Sequence, residues 1–223
     1  MKRPYIICHM MMSIDGRIDC AMTEQIHGAN EYCPLLEELN VPTTLSGRVT
    51  AQLEMAEPGE FSPTHPEIHC TEGFSKKCDA EGYEVVTDTN GKLLWKNDDK
   101  PLLIIMSTRA SKEYIDYLDS RNISWIVEGT DRIDLNRAME ILYEAFGVKR
   151  MAVVGGGNIN GGFLDAGLLV ELSILIGPAV DGRKRMGAVI DGRTMQAPLV
   201  QLKLLPVKQY EDEGVWLRYA VEK

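Results

Sequence analysis

Four short segments of this sequence combine residue types that bind phosphate groups or transfer protons. They are residues 13–16 (SIDG), 47–50 (GRVT), 107–109 (STR) and 155–160 (GGGNIN). Each follows an apolar stretch that is typical of a buried β-strand. Ligands of open α/β sheets bind beyond the carboxyl ends of the strands, so we expect the four segments to converge on one crevice.

The triple glycine precedes a segment with the pattern of a short helix. Glycine adopts positive φ and has no Cβ, so bare backbone N–H groups can approach an anion closely where a helix begins. The pattern predicts a phosphate-binding turn or, alternatively, a tight strand-to-helix turn without a ligand. The spacing of its glycines does not fit the G-x-G-x-x-G fingerprint of a conventional Rossmann site. The candidate residues are Gly155, Gly156, Gly157, Asn158, Ile159 and Asn160.

Two further segments offer phosphate-binding groups. The GRVT segment predicts a second helix start after a strand, and the STR segment places two hydroxyls and a guanidinium at a strand end. That set is a good receptor for a phosphate monoester such as the 2′-phosphate of NADP. Thr50 as a helix cap and Arg109 as a solvated charge are the alternatives. The candidates are Gly47, Arg48, Thr50, Ser107, Thr108 and Arg109.

Two titratable side chains near the first strand are candidates for catalysis. His9 could supply a proton near neutral pH, or it could be a hydrogen-bonded core histidine. Asp15 could orient a ligand or merely close the turn after the strand. We favour ligand contact for Asp15 because several strand-end segments are predicted to meet there.

The order of strand and helix patterns predicts an α/β fold with helices on both faces of a mostly parallel sheet. Two extended segments at 200–209 and 214–221 predict a C-terminal antiparallel hairpin. The predicted strands are 4–12, 43–46, 102–106, 123–127, 151–154 and 169–176. The predicted helices are 30–39, 47–55, 111–120, 134–146 and 158–166.

The middle of the chain breaks this alternation. Residues 56–82 are rich in Pro, Gly, Ser and Thr without periodicity, which predicts a long irregular excursion on the surface or over a site. Residues 83–95 flank Asn90 and Gly91, a strong turn signal, and predict a β-hairpin. We therefore expect one domain over 1–223 with an insertion at 56–98.

Composition narrows the possible partners and location. The formal net charge of −9 disfavours nucleic-acid or membrane binding, and no apolar stretch is long enough to span a bilayer. The five cysteines are irregularly spaced, which favours reduced thiols in the cytoplasm. The His65, His69, Cys70 and Cys78 spacing fits no common zinc site, so no metal is expected.

Longer stretches of the sequence resemble the reductase domain of riboflavin biosynthesis, the C-terminal half of the bifunctional deaminase/reductase. The matching stretches are RPYIICHMMMSIDGRI, SGRVT, VVGGGNINGGFLDAGLLVELSILIGPAVDG and LKLLPVKQYEDEGVWLRYAV. They occur in the order of the family and span nearly the whole chain. Their combination is specific, whereas each motif alone is not.

The resemblance implies a three-layer dihydrofolate reductase-like fold and a homodimeric, NADPH-dependent reductase. It implies reduction of 5-amino-6-(5-phosphoribosylamino)uracil or a related phosphorylated compound. The G-x-x-T and GGG segments would bind cofactor phosphates, and the Ser-Thr-Arg strand end would lie near the adenosine phosphate. Ser13, Asp15 and Asn160 would face the substrate and the nicotinamide.

The sequence departs from this family on the substrate side. His9 stands where bacterial members usually have Lys and archaeal members Asn, and Val154 stands where the family places Glu. The acidic position after G-x-x-T is kept as Glu54, which joins His9 and Asp15 as a catalytic candidate. Two alternatives remain: a reductase of another carbonyl, imine or pterin-like substrate, and a noncatalytic nucleotide-binding protein.

Overall fold

The computed structural model describes residues 2–26, 29–96 and 101–222. Its strands, in chain order, are β1 Tyr5–Ser13, β2 Arg17–Ile18, β3 Thr43–Gly47, β4 Gly73–Ser75, β5 Glu84–Thr87, β6 Leu102–Met106, β7 Ser124–Val127, β8 Arg150–Val153, β9 Glu171–Gly177, β10 Gly187–Ala188, β11 Leu202–Gln209 and β12 Val215–Val221. Its α-helices are α1 Cys20–Thr23, α2 Tyr32–Glu38, α3 Arg48–Glu54, α4 Lys112–Ser120, α5 Leu135–Glu144 and α6 Gly157–Asp165.

The chain forms two compact units. Unit 1 comprises Met1–Pro4 and Thr43–Lys149, and unit 2 comprises Tyr5–Pro42 and Arg150–Lys223. Each unit has a sheet in which parallel strands predominate or lie at the centre, and each has helices packed on it. The single domain expected over residues 1–223 stays a prediction.

The sheet of unit 2 has the strand order β11-β12-β9-β1-β8. Strand β1 pairs in parallel with both β8 and β9, so both of its edges are occupied. Its residues from Ile6 to Met11 are buried, as expected for a strand covered on both faces. Strand β12 pairs antiparallel with β9 and with β11, which confirms the predicted C-terminal hairpin.

The sheet of unit 1 has the strand order β3-β5-β6-β7-β4. Strands β3, β5, β6 and β7 run parallel, and the short β4 pairs antiparallel with β7 at the edge. A buried apolar cluster that includes Val86, Trp95, Ile104 and Tyr114 packs this sheet against α4. The order of strands and helices confirms the predicted α/β class with a mixed, mostly parallel sheet.

The predicted β-hairpin at 83–95 is wrong. Strand β5 has both edges occupied by the parallel strands β3 and β6, so the residues after Gly91 cannot pair with it. Leu94 instead forms an isolated antiparallel bridge with Glu57. The predicted insertion at 56–98 therefore contains a central strand of unit 1.

Short elements were also missed by the sequence analysis. Strands β2 and β10 form a two-stranded antiparallel ribbon in unit 2, with Ile18 opposite Gly187. Strand β4 lies within the stretch predicted as irregular. Two or three residues carry too little periodicity to identify a strand. In the described ranges, every helix is too short or too polar to cross a lipid bilayer.

Candidate active site

The first turn of α6 in unit 2 lacks a side-chain cap. Gly155 has a φ of +122°, and the N-cap residue Gly156 is extended and has no side chain to bond the first-turn N–H groups. By contrast, Ser111 caps α4 through Tyr114 N, and Asp134 caps α5 through Arg137 N. An uncapped first turn leaves backbone donors free to bind an anion.

The third glycine of the turn is explained by chain packing. A Cβ on Gly157 would lie 2.2 Å from the carbonyl oxygen of Ala188, and one on Gly161 would lie 2.0 Å from that of Asp191. The Asp191 N–H donates to the carbonyl of Gly157 at 3.0 Å. Residues 188–191, which the sequence analysis did not consider, therefore lie directly against the start of α6.

Asn160 takes part in the same packing. It is fully buried, and its Nδ2 donates to the carbonyl of Val189 at 2.7 Å. Its Oδ1 is buried without a partner in the described part of the chain. Asn158, two residues earlier on the helix, is exposed, and Ile159 is half-buried. The Asn160 side chain thus holds residues 188–191 in place, while contact with substrate stays a prediction.

The Ser13–Asp15 turn is joined by hydrogen bonds to the chain after β9. The hydroxyl of Ser13, which is fully buried, donates to Asp15 Oδ1 at 2.6 Å. The same carboxylate accepts from the backbone N–H groups of Asp181 at 3.0 Å and Gly182 at 2.9 Å. These bonds, the one from Ser13 first, hold the pKa of the Asp15 carboxyl well below its usual range. Asp15 is therefore an ionised anchor of the loop at neutral pH.

His9 lies in a closed chain of hydrogen bonds. Its Nδ1 is 2.9 Å from Ser173 Oγ, which also accepts from the indole N–H of Trp216 at 2.8 Å. The Tyr32 carbonyl can only accept, so Nε2–H donates to it at 3.2 Å, and Nδ1 of the neutral ring accepts from the Ser173 hydroxyl. The imidazole also stacks on the Tyr32 ring, with centroids 4.5 Å apart.

Burial lowers the pKa of His9 to about 4, and its hydrogen bonds oppose this shift only partly. The ring is fully buried and neutral at pH 7. This environment favours the core-histidine alternative over a proton donor at neutral pH.

In unit 1, the two predicted strand ends, at Gly47 and Ser107, lie on either side of the end of β5. Strand β5 lies between β3 and β6, and Gly47 is opposite Thr87 in the β3–β5 pair. Ser107 follows β6, and both its N–H and its hydroxyl donate to the carbonyl of Thr89. Neighbouring strands lie about 4.8 Å apart, so the Gly47 and Ser107 ends are separated by about 10 Å.

The predicted residues of α3 lie at its exposed start and end. Gly47 is the N-cap and provides no side-chain cap. Arg48 is exposed and Thr50 is half-buried in the first turn, and Glu54 is exposed at the last residue of the helix. The Arg48 side chain therefore lies at the surface beside the uncapped start of the helix.

A groove of about 380 Å³ lies beside the Ser107–Arg109 corner in unit 1. Its cationic groups are Lys92 and the exposed guanidinium of Arg109, and its apolar wall includes Phe61, Pro63 and Pro66. Glu60 also lines it and forms an ion pair of 3.2 Å with Lys92. Arg109 pairs with Asp131 at 3.4 Å on the surface. An apolar wall next to two cations suits a base joined to a phosphate.

The wall of this groove is fixed to the rest of unit 1. Between the wall residues Pro63 and Pro66, the Thr64 and His65 N–H groups donate to the two carboxylate oxygens of Glu113 on α4, at 2.7 and 2.8 Å. The Phe61 N–H donates to the carbonyl of Lys92 at 2.7 Å. The Phe61 ring packs on Tyr114 with centroids 5.0 Å apart.

Asp88 is a candidate residue that the sequence analysis missed. It follows β5 and is fully buried, and its Oδ2 accepts from the N–H groups of Lys92 and Leu93 at 2.5 and 2.8 Å. Burial raises the pKa of its carboxyl, and the two backbone hydrogen bonds and the charge of Arg48 oppose this only partly. Its Oδ1 is buried without a partner in the described ranges. The signal that could have identified it is an apolar strand followed by Asp. The turn signal at Asn90-Gly91 led instead to the prediction of a hairpin.

These features define an α/β fold of the dihydrofolate reductase-like type, with glycine and hydroxyl residues at its strand ends. Residues 4–215 match the RibD C-terminal domain family, and the chain belongs to that family. This confirms the resemblance noted in the sequence.

Comparison with individual proteins agrees with this assignment. The chain is 25% identical over 232 residues to the 2,5-diamino-6-ribosylamino-4(3H)-pyrimidinone 5′-phosphate reductase of Methanothermobacter thermautotrophicus, covering 99% of each chain. It superposes on a pyrimidine reductase-like protein from Corynebacterium diphtheriae with a TM-score of 0.71 at 15% identity, covering 99% of this chain and 92% of that one. It superposes on Acinetobacter baumannii RibD with a TM-score of 0.68 at 19% identity, covering 99% of this chain and 58% of the RibD chain.

Proposed function

We propose that this protein is an NADPH-dependent reductase that acts on a ribosylaminopyrimidine 5′-phosphate. The observation that carries the proposal is the uncapped glycine start of α6, directly after β8, in a member of the RibD C-terminal domain family. A reductase needs a nicotinamide dinucleotide held by its phosphates, and free N–H groups at a helix start supply such a hold.

The groove of unit 1 supports the choice of NADPH. Its cations, Lys92 and Arg109, suit the 2′-phosphate that distinguishes NADPH from NADH, and its Phe61 and proline wall suits an adenine ring. The donor set therefore fits the cofactor. When bound, NADPH supplies the hydride, and the protein supplies binding and orientation.

The relatives support the choice of substrate. The Methanothermobacter protein is named as a reductase of 2,5-diamino-6-ribosylamino-4(3H)-pyrimidinone 5′-phosphate, and the similarity extends over nearly all of both chains. We assign the same compound class to this chain, with the uracil analogue as the comparison substrate. Within β1, His9 is assigned to positioning the strand, because its ring nitrogens are both committed to protein partners.

The first test is a fluorescence titration of the protein with NADPH and NADH, followed by turnover of the diaminopyrimidinone phosphate and the uracil analogue. We expect tighter binding of NADPH than of NADH, and oxidation of NADPH with the diaminopyrimidinone phosphate. Arg109→Ala should raise the Kd of NADPH by about tenfold, since a charge-assisted hydrogen bond is lost. Arg137→Ala, which breaks a surface ion pair on α5, is the matched control.

Absence of NADPH binding would refute the proposal. Binding without turnover of either pyrimidine would instead support the noncatalytic alternative. We further propose that the enzyme is cytoplasmic and forms a homodimer. Light scattering on the purified protein tests the homodimer through its mass in solution.

A further inference from the structure

The loop of residues 181–186, between β9 and β10 in unit 2, is fixed at both of its ends. At its start, the carboxylate of Asp15 accepts from the N–H groups of Asp181 and Gly182. At its end, Arg17 Nη1 donates to the carbonyl of Met186 at 3.0 Å. The antiparallel pairing of β10 with β2 also holds the chain directly after the loop. The tip of the loop is therefore presented in a defined position.

Two arginines and three aspartates around the loop form ion pairs with one another. Arg183 contacts Asp19 at 2.8 Å and Asp181 at 2.5 Å, and Arg17 lies 3.8 Å from Asp15. At the tip, Lys184 and Arg185 are both exposed. Neither side chain has a hydrogen bond or ion pair with the part of the chain that the structure describes. In a protein with a net charge of −9, these adjacent cations form a local site of excess positive charge.

The tip lies close to the two candidate segments of unit 2. Arg185 is three positions before Ala188, whose carbonyl meets the start of α6, and three positions after Gly182, which is bonded to Asp15. Three residues span about 10 Å at most. The two cations are thus within the reach of a ribose phosphate from both segments.

We propose that Lys184 and Arg185 form the binding site for the phosphate monoester of the substrate. This inference rests on the proposed function for the identity of the substrate. A guanidinium next to an ammonium provides several donors and two positive charges for a phosphate, and the bonds from Asp15 and Arg17 hold the loop that carries them. The polar groups of the Ser13–Asp15 turn bond to protein partners. Through these bonds, the turn positions the loop that carries the two cations.

The test compares wild-type protein with Lys184→Gln, Arg185→Gln and the double variant. The matched control is Lys203→Gln, which removes an exposed cation from β11. The readouts are KM and kcat for the pyrimidine 5′-phosphate and for its dephosphorylated riboside, together with the Kd of NADPH. We expect the double variant to raise KM for the phosphate by about tenfold to a hundredfold, because charge-assisted bonds are lost. The kcat, KM for the riboside and Kd of NADPH should change less than about twofold, since these contacts form only with the phosphate.

Two results would overturn the inference. An unchanged KM for the phosphorylated substrate would show that the cations do not bind it. A parallel loss of NADPH affinity would assign them to the cofactor instead. If wild-type protein neither binds NADPH nor turns over a pyrimidine, the proposed function fails, and calorimetry with ribose 5-phosphate then tests the site itself. Weaker binding of that probe by the double variant, but not by Lys203→Gln, would support the phosphate site, and equal binding would refute it.

Discussion

The Nδ1 atom of His9 lies 2.9 Å from the hydroxyl of Ser173, its direct neighbour across the β1–β9 pair. The bond links two central parallel strands of unit 2 inside a buried, fully paired chain of donors and acceptors. A histidine in a strand can look catalytic because its usual pKa is near neutral. Here the surroundings keep the ring neutral and hydrogen-bonded. We therefore expect the replacement of His9 to affect the stability of the fold.

Replacing His9 should change the pH dependence of stability. Its pKa falls from 6.5 in the unfolded chain to about 4 in the folded protein, so the unfolded state takes up a proton first as pH falls. The stability of the wild-type protein should therefore decrease by about 1.4 kcal/mol per pH unit between pH 6.5 and 4 because of this group alone. In urea unfolding, the free energy of unfolding of wild type should be about 2 kcal/mol lower at pH 5 than at pH 7 because of His9. The His9→Gln variant should lack this contribution.

The His9→Gln variant should also lose about 1 to 3 kcal/mol of stability at pH 7, because buried partners are left unsatisfied. If its pH dependence matched that of wild type, the charge state assigned to His9 would be wrong.

Adding a methyl group to either packed glycine of α6 should destabilise unit 2. The new Cβ would lie 2.2 Å from Ala188 O in Gly157→Ala and 2.0 Å from Asp191 O in Gly161→Ala. Because backbone must shift in both cases, we expect losses of about 1 to 3 kcal/mol in thermal or urea unfolding. Gly187→Ala is the control, since its Cβ would make an ordinary contact of 3.6 Å with Ile18. Equal effects at all three positions would contradict this packing explanation.

Asp15→Asn should loosen the loop after β9. The amide keeps one oxygen acceptor for the two backbone donors, Asp181 N and Gly182 N, and loses the negative charge. Hydrogen exchange of these two amides should become several-fold faster. In wild type, this anchor should be fully present above the ordinary carboxyl pKa of 3.8 and lost only as pH falls below it, because the folded-state pKa is lowered. Unchanged exchange would show that the loop does not depend on the carboxylate.

Glu60→Gln should strengthen NADP binding in the groove of unit 1. The substitution removes the carboxylate that pairs with Lys92 at 3.2 Å and leaves that cation free for the 2′-phosphate. The pair is exposed, so we expect a modest gain, about twofold to fivefold in Kd for NADP by calorimetry. NAD, which lacks the 2′-phosphate, should not gain. Lys92→Gln should act in the opposite direction, and tighter NADP binding in that variant would contradict the assignment.

Much of the fold could be predicted from the sequence because its strands are apolar and its helices alternate with them. The predicted strands around Ile7, Ile104 and Leu175 all occur within a few residues of their predicted limits. The hairpin prediction failed for a physical reason. A turn signal at Asn90 reports the local backbone, whereas the partner of β5 is decided by distant strands β3 and β6.

The candidate site was predictable only in part. Backbone features such as the glycine helix starts can be read from residue type. The bonding of His9 and Asn160 could not be, because their partners lie 23 or more residues away in the chain. The bonding of Ser13 could not be either, because its hydroxyl, like the imidazole and the amide, suits a ligand equally well. The convergence of all the predicted segments on one crevice stays a prediction.

The two bonds from Glu113 to the groove wall have a consequence for ligand entry. Thr64 and His65, which lie between the wall residues Pro63 and Pro66, are held by the same helix that begins just beyond Arg109. A nucleotide entering the groove would thus meet a receptor that is already assembled, and little of the binding free energy would be lost in ordering it. Affinity at this end of the molecule should depend on charge more than on flexibility.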